Sequence, residues 1–110
     1  MQAIINGDIF NGEILLRDHA VIVDGARVAC VVEQQLMPSD ITDMFDLQGA
    51  TLIPGFIDLQ VNGGGGVLFN AAPTVAGLHT IGTAHRQYGT TGYLPTLITD
   101  SFAVMRQAIA

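Results

Sequence analysis

The sequence predicts a mixed fold. A small, partial β-sandwich covers residues 1–53, and a strand–helix–strand–helix segment covers 54–110. Three observations predict it. The first half is a run of short apolar stretches separated by Asn-Gly, Asp-Gly and Gln-Gly pairs, a pattern of strands and tight turns. At Pro54-Gly55 this gives way to an alternating stretch, Phe56 to Asn62, that ends in four glycines. Beyond Pro73 the apolar residues recur at helical spacing.

Taken in order, Ala3-Ile4-Ile5 is a first strand, closed by Asn6-Gly7-Asp8. Ile9-Phe10 precedes a second turn at Asn11-Gly12, and Glu13 to Arg17 forms the next short strand. Asn-Gly suits turns because both residues tolerate positive φ. Ala20–Val23 and Ala26–Val32 flank Asp24-Gly25 and predict a hairpin with a type I′ turn at that pair. Residues 33–44 are polar and include Pro38-Ser39-Asp40, so a loop or a short helical turn is expected. Phe45–Leu47 and Ala50–Ile53, joined by Gln48-Gly49, predict another hairpin. Cys30 falls within a strand pattern and is expected to be a small buried residue, and His19 a packing or surface histidine.

In the second half, Ile57, Leu59 and Val61 share one strand face, and Phe56, Asp58, Gln60 and Asn62 the other. Pro73-Thr74 starts a helix carrying Val75, Leu78, Ile81, His85 and Tyr88 at helical spacing, with Gly89 at its C-terminal cap. Gly77 and Gly82 weaken that helix by about 1 kcal/mol each relative to Ala, and allow close approach of a neighbour. Thr90–Thr99 reads as a second strand, irregular around Pro95. Asp100 or Ser101 caps a second helix beginning at Phe102. Two parallel strands joined through a helix leave both sheet edges open, which native proteins avoid.

The chemistry-bearing candidates cluster at the end of the first of these strands. Gln60 and Asn62 point to one face about 7 Å apart. A polar strand end that opens into glycines is where parallel α/β folds place their sites. The alternative is that both amides satisfy buried backbone groups. Asp58 shares their face, one period lower, and reads as a structural acceptor sooner than as a catalytic carboxylate. Gly63–Gly66 is neither a Walker loop nor a dinucleotide fingerprint. It reads as a tight turn passing close to a substrate, with Gly63 and Gly64 nearest. His79 and His85 stand six apart, a spacing that does not bring two imidazoles onto one ion. Tyr93, Thr96 and Thr99 read as packing and turn residues. Three scattered histidines and one strand cysteine assemble no nucleophilic triad or dyad.

Pro54-Gly55-Phe56-Ile57-Asp58 followed by a polar-x-polar pair resembles the first barrel strand of the amidohydrolase superfamily. The string PGFIDLQVNGGGGVLFN, together with YLPTLIT at 93–99, is similar to the N-acetylglucosamine-6-phosphate deacetylases of that superfamily. The resemblance runs over all 110 residues and covers only the N-terminal part of such an enzyme. It implies that residues 54–110 are the first two strands, the first helix and part of the second helix of an incomplete (β/α)8 barrel, a fold of about 250 residues. It implies one divalent metal, zinc in the first instance, held in the complete enzyme by a Glu and two His of later strands. Gln-x-Asn stands where most of the superfamily has His-x-His, and amides are poor zinc ligands beside imidazole. Gln60 is then expected near the metal's water, with Asn62 lining the same pocket and no direct metal ligand within these residues. The implied reaction is hydrolysis of an amino-sugar phosphate to acetate and glucosamine 6-phosphate, by a homodimer. The 110 residues alone are expected to be inactive.

Composition narrows the alternatives. A formal net charge of −6 with four Lys and Arg excludes a nucleic-acid surface and a basic membrane-binding face. No apolar run approaches a membrane span, and the N-terminus lacks the charged and apolar segments of a secretory signal, so a cytoplasmic protein is expected. A mean hydropathy of +0.43 with 13% charged residues is apolar for so small a domain, as expected of a piece deprived of its packing partners. Two other readings stand beside the deacetylase. One is an amidohydrolase acting on a different N-acyl or cyclic amide. The other is a free-standing β-rich module that binds or assembles through its open edges.

Overall fold

The computed structural model describes all of residues 1–110 as mostly β-sheet with two helices, in two compact units, Met1–Pro54 and Gly55–Ala110. The first unit holds β1 (Gln2–Ile5), β2 (Asp8–Phe10), β3 (Leu15–Leu16), β4 (His19–Asp24), β5 (Arg27–Glu33), a 3-10 turn (Gln34–Leu36), β6 (Asp43–Asp46) and β7 (Thr51–Leu52). They form a four-stranded sheet in the order β5-β4-β1-β6 and a three-stranded sheet in the order β3-β2-β7. Strand β4 is the centre of this unit. Ala20, Val21 and Ile22 are successive residues pointing to opposite faces, and all three are buried. On one face Ala20 and Ile22 pack with Ala3 of β1 and with Ile41, which arrives from the loop before β6. Ile9 supplies the buried residue of the three-stranded sheet, whose strand β2 lies against β4.

The β4–β5 hairpin is present, but its turn is displaced from the expected pair. Asp24 pairs with Arg27, so the two loop residues are Gly25 and Ala26, and of these only Gly25 has positive φ (57°). A type I′ turn needs both. The register shifts between the Ile22–Cys30 and Val23–Val28 pairs, leaving Ala29 as a bulge that returns the strands to phase. Cys30 is exposed, contrary to expectation. It lies on β5, an edge strand with one neighbour, outside the cluster that Ile41 covers.

The expected hairpin across Gln48-Gly49 does not form. The turn is there, with φ of 51° and 81°, yet its two strands join different sheets. Strand β6 runs parallel to β1, and β7 runs parallel to β2. The chain therefore passes from the four-stranded to the three-stranded sheet twice, after β1 and after β6, as two arches side by side. The arches are zipped by backbone hydrogen bonds from Leu47 N to Ile5 O (2.9 Å) and from Gly49 N to Asn6 O (2.7 Å). Asn6 has φ 58°, and its amide donates to Asp46 (2.9 Å) while exchanging hydrogen bonds with Gln34. Gly7 lies where a side chain would run into the Ala50 carbonyl and Leu47, so the close fit of the arches demands glycine there. A Gln-Gly pair suits a tight turn, but local sequence does not say which strand each arm will join.

The second unit holds β8 (Phe56–Val61), β9 (Gly63–Gly64), β10 (Val67–Leu68), α1 (Val75–Arg86), β11 (Thr90–Pro95) and α2 (Phe102–Ile109). Strands β8 and β11 are parallel, connected through α1, and shift register near Thr90 and near Pro95. Thr74 caps α1 by accepting from Gly77 N (3.1 Å), and Ser101 caps α2 by accepting from Val104 N (3.4 Å). Gly89, at φ 91°, turns the chain into β11. The core joins Val61, Phe69 and Ile81, with Leu78, Tyr93, Leu97 and Ala108 packed against it. Val75 and Tyr88 were expected on the packed stripe but are exposed, because they flank a helix whose inward residues are Gly77 and Ile81. No helix is long and apolar enough to cross a membrane.

Candidate functional site

The site is built at the C-terminal ends of β8 and β11. Parallel pairing brings the ends of the two strands together, with Pro95 opposite Val61 and the Thr96 N–H donating to Val61 O (2.8 Å). Alternation along β8 puts Asp58, Gln60 and Asn62 on one face. Their environments differ. Asp58 Oδ1 accepts from the Gln60 N–H (3.0 Å), which makes it the local backbone acceptor that the sequence suggests. The Gln60 side chain is exposed. Asn62 is half-buried, and its Nδ2 donates to the Thr96 carbonyl (2.7 Å) across the strand ends. One amide of the pair is thus engaged with backbone, and the other faces outward.

The glycine run has a structural explanation at every position. Gly63 and Gly64 pair with Leu68 and Val67 as β9 and β10, and Gly65 and Gly66 form the turn with φ of 60° and 78°. Two consecutive positive φ values are what a type I′ hairpin requires. A Cβ at Gly63 would run into the Val67 carbonyl, and one at Gly64 would stand 2.9 Å from the His85 ring. The hairpin therefore sits directly against α1. His85 Nε2 lies 2.9 Å from Gly63 O. A carbonyl oxygen only accepts, so Nε2 carries the proton. The His85 ring also stacks on Tyr93, with centroids 6.5 Å apart. Tyr93 donates its hydroxyl to Leu78 O (2.6 Å), reaching the helix where Gly82 leaves room for its ring. His79 is exposed on the same helix and joins nothing at the strand ends.

Sequence reasoning missed two residues. His85, read from the sequence only as a helix residue that does not share an ion with His79, joins α1 to the glycine hairpin. Asn70 holds the segment after β11: its Oδ1 accepts from Ile98 N (2.9 Å), and its Nδ2 donates to Ile98 O (2.8 Å) and Asp100 Oδ2 (2.9 Å). The Asn70 amide, followed by the Ser101 N–H, holds the Asp100 carboxyl below its ordinary pKa. The signal for Asn70 was a lone Asn after the apolar run Val67-Leu68-Phe69, which local pattern does not separate from an ordinary turn residue. Within the chain no three His, Cys, Asp or Glu side chains gather closely enough to hold a metal ion.

This is a β-rich unit followed by a short parallel βαβα segment with a polar strand end, and its first unit matches a known family. Residues 1–52 match the family model of the NagA composite domain. The chain is similar, along nearly all its length, to the N-terminal portion of amino-sugar-phosphate deacetylases. It is 42% identical over 107 residues to the N-acetylglucosamine-6-phosphate deacetylase of Haemophilus influenzae, a match covering 97% of this chain and 28% of the relative. It is also 42% identical over 95 residues to the N-acetylgalactosamine-6-phosphate deacetylase of Shewanella sp. (strain ANA-3), covering 84% of this chain and 24% of that relative. The crystal structure of N-acetylglucosamine-6-phosphate deacetylase from Pasteurella multocida superposes with a TM-score of 0.91 at 37% identity, over 98% of this chain and 28% of that one. The chain thus spans about a quarter of the length of each of these three relatives.

Proposed function

We propose that these residues are the N-terminal portion of a metal-dependent deacetylase of N-acetylglucosamine 6-phosphate, working as a cytoplasmic homodimer. In this reading residues 1–53 are part of a β-sandwich domain. Residues 54–110 begin a (β/α)8 barrel, contributing its first two strands, its first helix and part of the second. The observation that carries the proposal is the near-complete match of this chain to the start of the Haemophilus influenzae and Pasteurella multocida deacetylases.

The residues present do not fit a metal centre, since no suitable donor set gathers among them. A divalent ion, zinc being the first candidate, would take its ligands from outside these 110 residues. What this chain contributes is one wall of the pocket: the outward amide of Gln60, with Asn62 beside it, and Gly63 and Gly64 on the substrate side. Taken alone, the 110 residues are inactive. A second reading, the same hydrolysis on N-acetylgalactosamine 6-phosphate, draws support from the Shewanella relative.

The test is a chimera in which residues 1–110 replace the matching segment of the Haemophilus influenzae relative, assayed for acetate release from both sugar phosphates. Turnover by the chimera with none by the 110-residue chain is the expected result. A folded, metal-loaded chimera with no turnover of either sugar, or turnover by the chain alone with added zinc, overturns the reading.

A further inference from the structure

We propose that Asn62 and Asn70 act as one clamp on the segment Thr96–Asp100, so that Gln60 alone of the Gln60-x-Asn62 pair meets the reacting groups and Asn62 is a positioning residue. The functional half of this rests on the deacetylase reading above; the clamp itself does not.

A side-chain amide has two hydrogen-bonding functions. Its NH2 donates and its oxygen accepts, and β8 aims the Asn62 NH2 at the Thr96 carbonyl, 2.7 Å away. Two residues further along the same segment, Asn70 serves both backbone groups of Ile98, accepting from its N–H and donating to its carbonyl. A side-chain amide here replaces the neighbouring strand that Ile98 lacks. The Asn70 Nδ2 also reaches Asp100, whose other oxygen accepts from the Ser101 N–H (2.7 Å) immediately before α2. Asn62 and Asn70 are themselves tied by the hairpin between them, where Phe69 N donates to Asn62 O (2.7 Å) and Phe69 is buried in the core. The exit from β11 is thereby fixed at three successive points. Gln60 joins none of this: its side chain is exposed, and its N–H is satisfied by Asp58.

An Asn-to-Asp exchange at position 62 makes the geometry decisive, because an ionised carboxylate cannot donate to a carbonyl. Two measurements test the proposal. In the 110-residue chain, amide hydrogen exchange at Ile98 is followed in Asn70→Ala, Asn62→Asp and Gln60→Ala. The expected result is exchange faster by roughly 10-fold or more in the first two and unchanged in the third. Asn62 makes no hydrogen bond to Ile98, so unchanged exchange at Ile98 in Asn62→Asp overturns the single clamp.

In the chimera, kcat and KM are measured for Gln60→Ala, Asn62→Ala, Asn70→Ala and the double variants. Displacing a supporting segment is expected to lower kcat about 10- to 100-fold. The Asn62/Asn70 double variant should lose little more than the worse single variant, whereas adding Gln60→Ala multiplies the loss. Coupling of Asn62 to Gln60 instead of to Asn70 overturns the positioning role. If the folded chimera is inactive from the outset, the deacetylase reading and the positioning role fall together, and the exchange experiment still decides the clamp.

Discussion

The two units treat their central strands in opposite ways. Strand β4 of the first unit is covered on both faces, and Ala20, Val21 and Ile22 are all buried. Strand β8 of the second unit alternates just as clearly, yet Ile57 and Leu59 are 70% and 71% exposed and only Val61, at 2%, is buried. Both strands have the apolar residues to form a core. Only β4 has neighbours on every side, because the arches bring β1 and β6 to one of its flanks and β5 lies on the other. Strand β8 has the single partner β11. An apolar pattern therefore reports the surface a strand is suited to bury, not the surface it buries within a given stretch of chain. The uncovered face of β8 leaves Ile57 and Leu59 in solvent, a face suited to a covering layer, which supports the barrel reading.

The largest effect is expected from removing one core side chain from each unit. Ile22→Ala and Ile81→Ala delete fully buried groups of equal size, and each is expected to cost about 2–5 kcal/mol. The first unit, with its strands paired on more sides, should survive better. Residue-resolved hydrogen exchange in denaturant reads the two units separately. Equal loss of protection in both units from either substitution would show that they unfold as one.

A smaller effect sharpens the contrast on β8 itself. Leu59→Gln should change the stability of the 110-residue chain by less than about 0.5 kcal/mol, since the side chain is already in water. In the chimera the same change should cost about 2 kcal/mol if that face is covered there. Thermal or urea melts of both pairs measure it. Equal costs in chain and chimera would remove this support for the barrel.

The smallest effect is one the two units share. Asp46 in the first and Asp100 in the second are each held below the ordinary carboxylate pKa, by Asn6 and Asn70 respectively and then by a backbone N–H. A depressed folded-state pKa stabilises above the unfolded value and is lost as pH falls through the folded one. Both units should therefore loosen on acidification below about pH 4. Asp46→Asn should flatten this acid limb in the first unit only, and Asp100→Asn in the second only, as followed by backbone amide NMR shifts against pH. A pH response that survives in the substituted unit would assign it to other carboxylates.

Much of this was legible in the sequence, for reasons that can be traced. Caps at Thr74 and Ser101, the turn at Gly89 and the alternation of β8 are local rules, and local rules read well from one chain. The β6–β7 arch was not legible. Gln48-Gly49 forms the turn its residues suit, while the choice of partner strand is made by β1 and β2, some forty residues away. At the site, Gln60 and Asn62 were visible as a pair, but their different engagement was not, because it depends on where β11 ends. The four glycines read as a tight turn, which Gly65 and Gly66 form, but the hairpin around it was not visible, nor its fit to an imidazole 22 residues beyond Gly63 at His85. Cys30 was misjudged because strand pattern does not distinguish an edge from a centre.

The zipped arches also set an order of events in folding. The β4–β5 hairpin closes between residues close in sequence, whereas the bond between Asn6 and Asp46 spans 40 residues. Contacts that close long loops carry the larger entropic cost and reward it late. The hairpin, with β1 against β4 and β2 against β3, can thus form while a nascent chain is still short, but the two arches zip together only once β6 and β7 are in hand. On a ribosome, that last closure would wait for the forties and fifties to emerge.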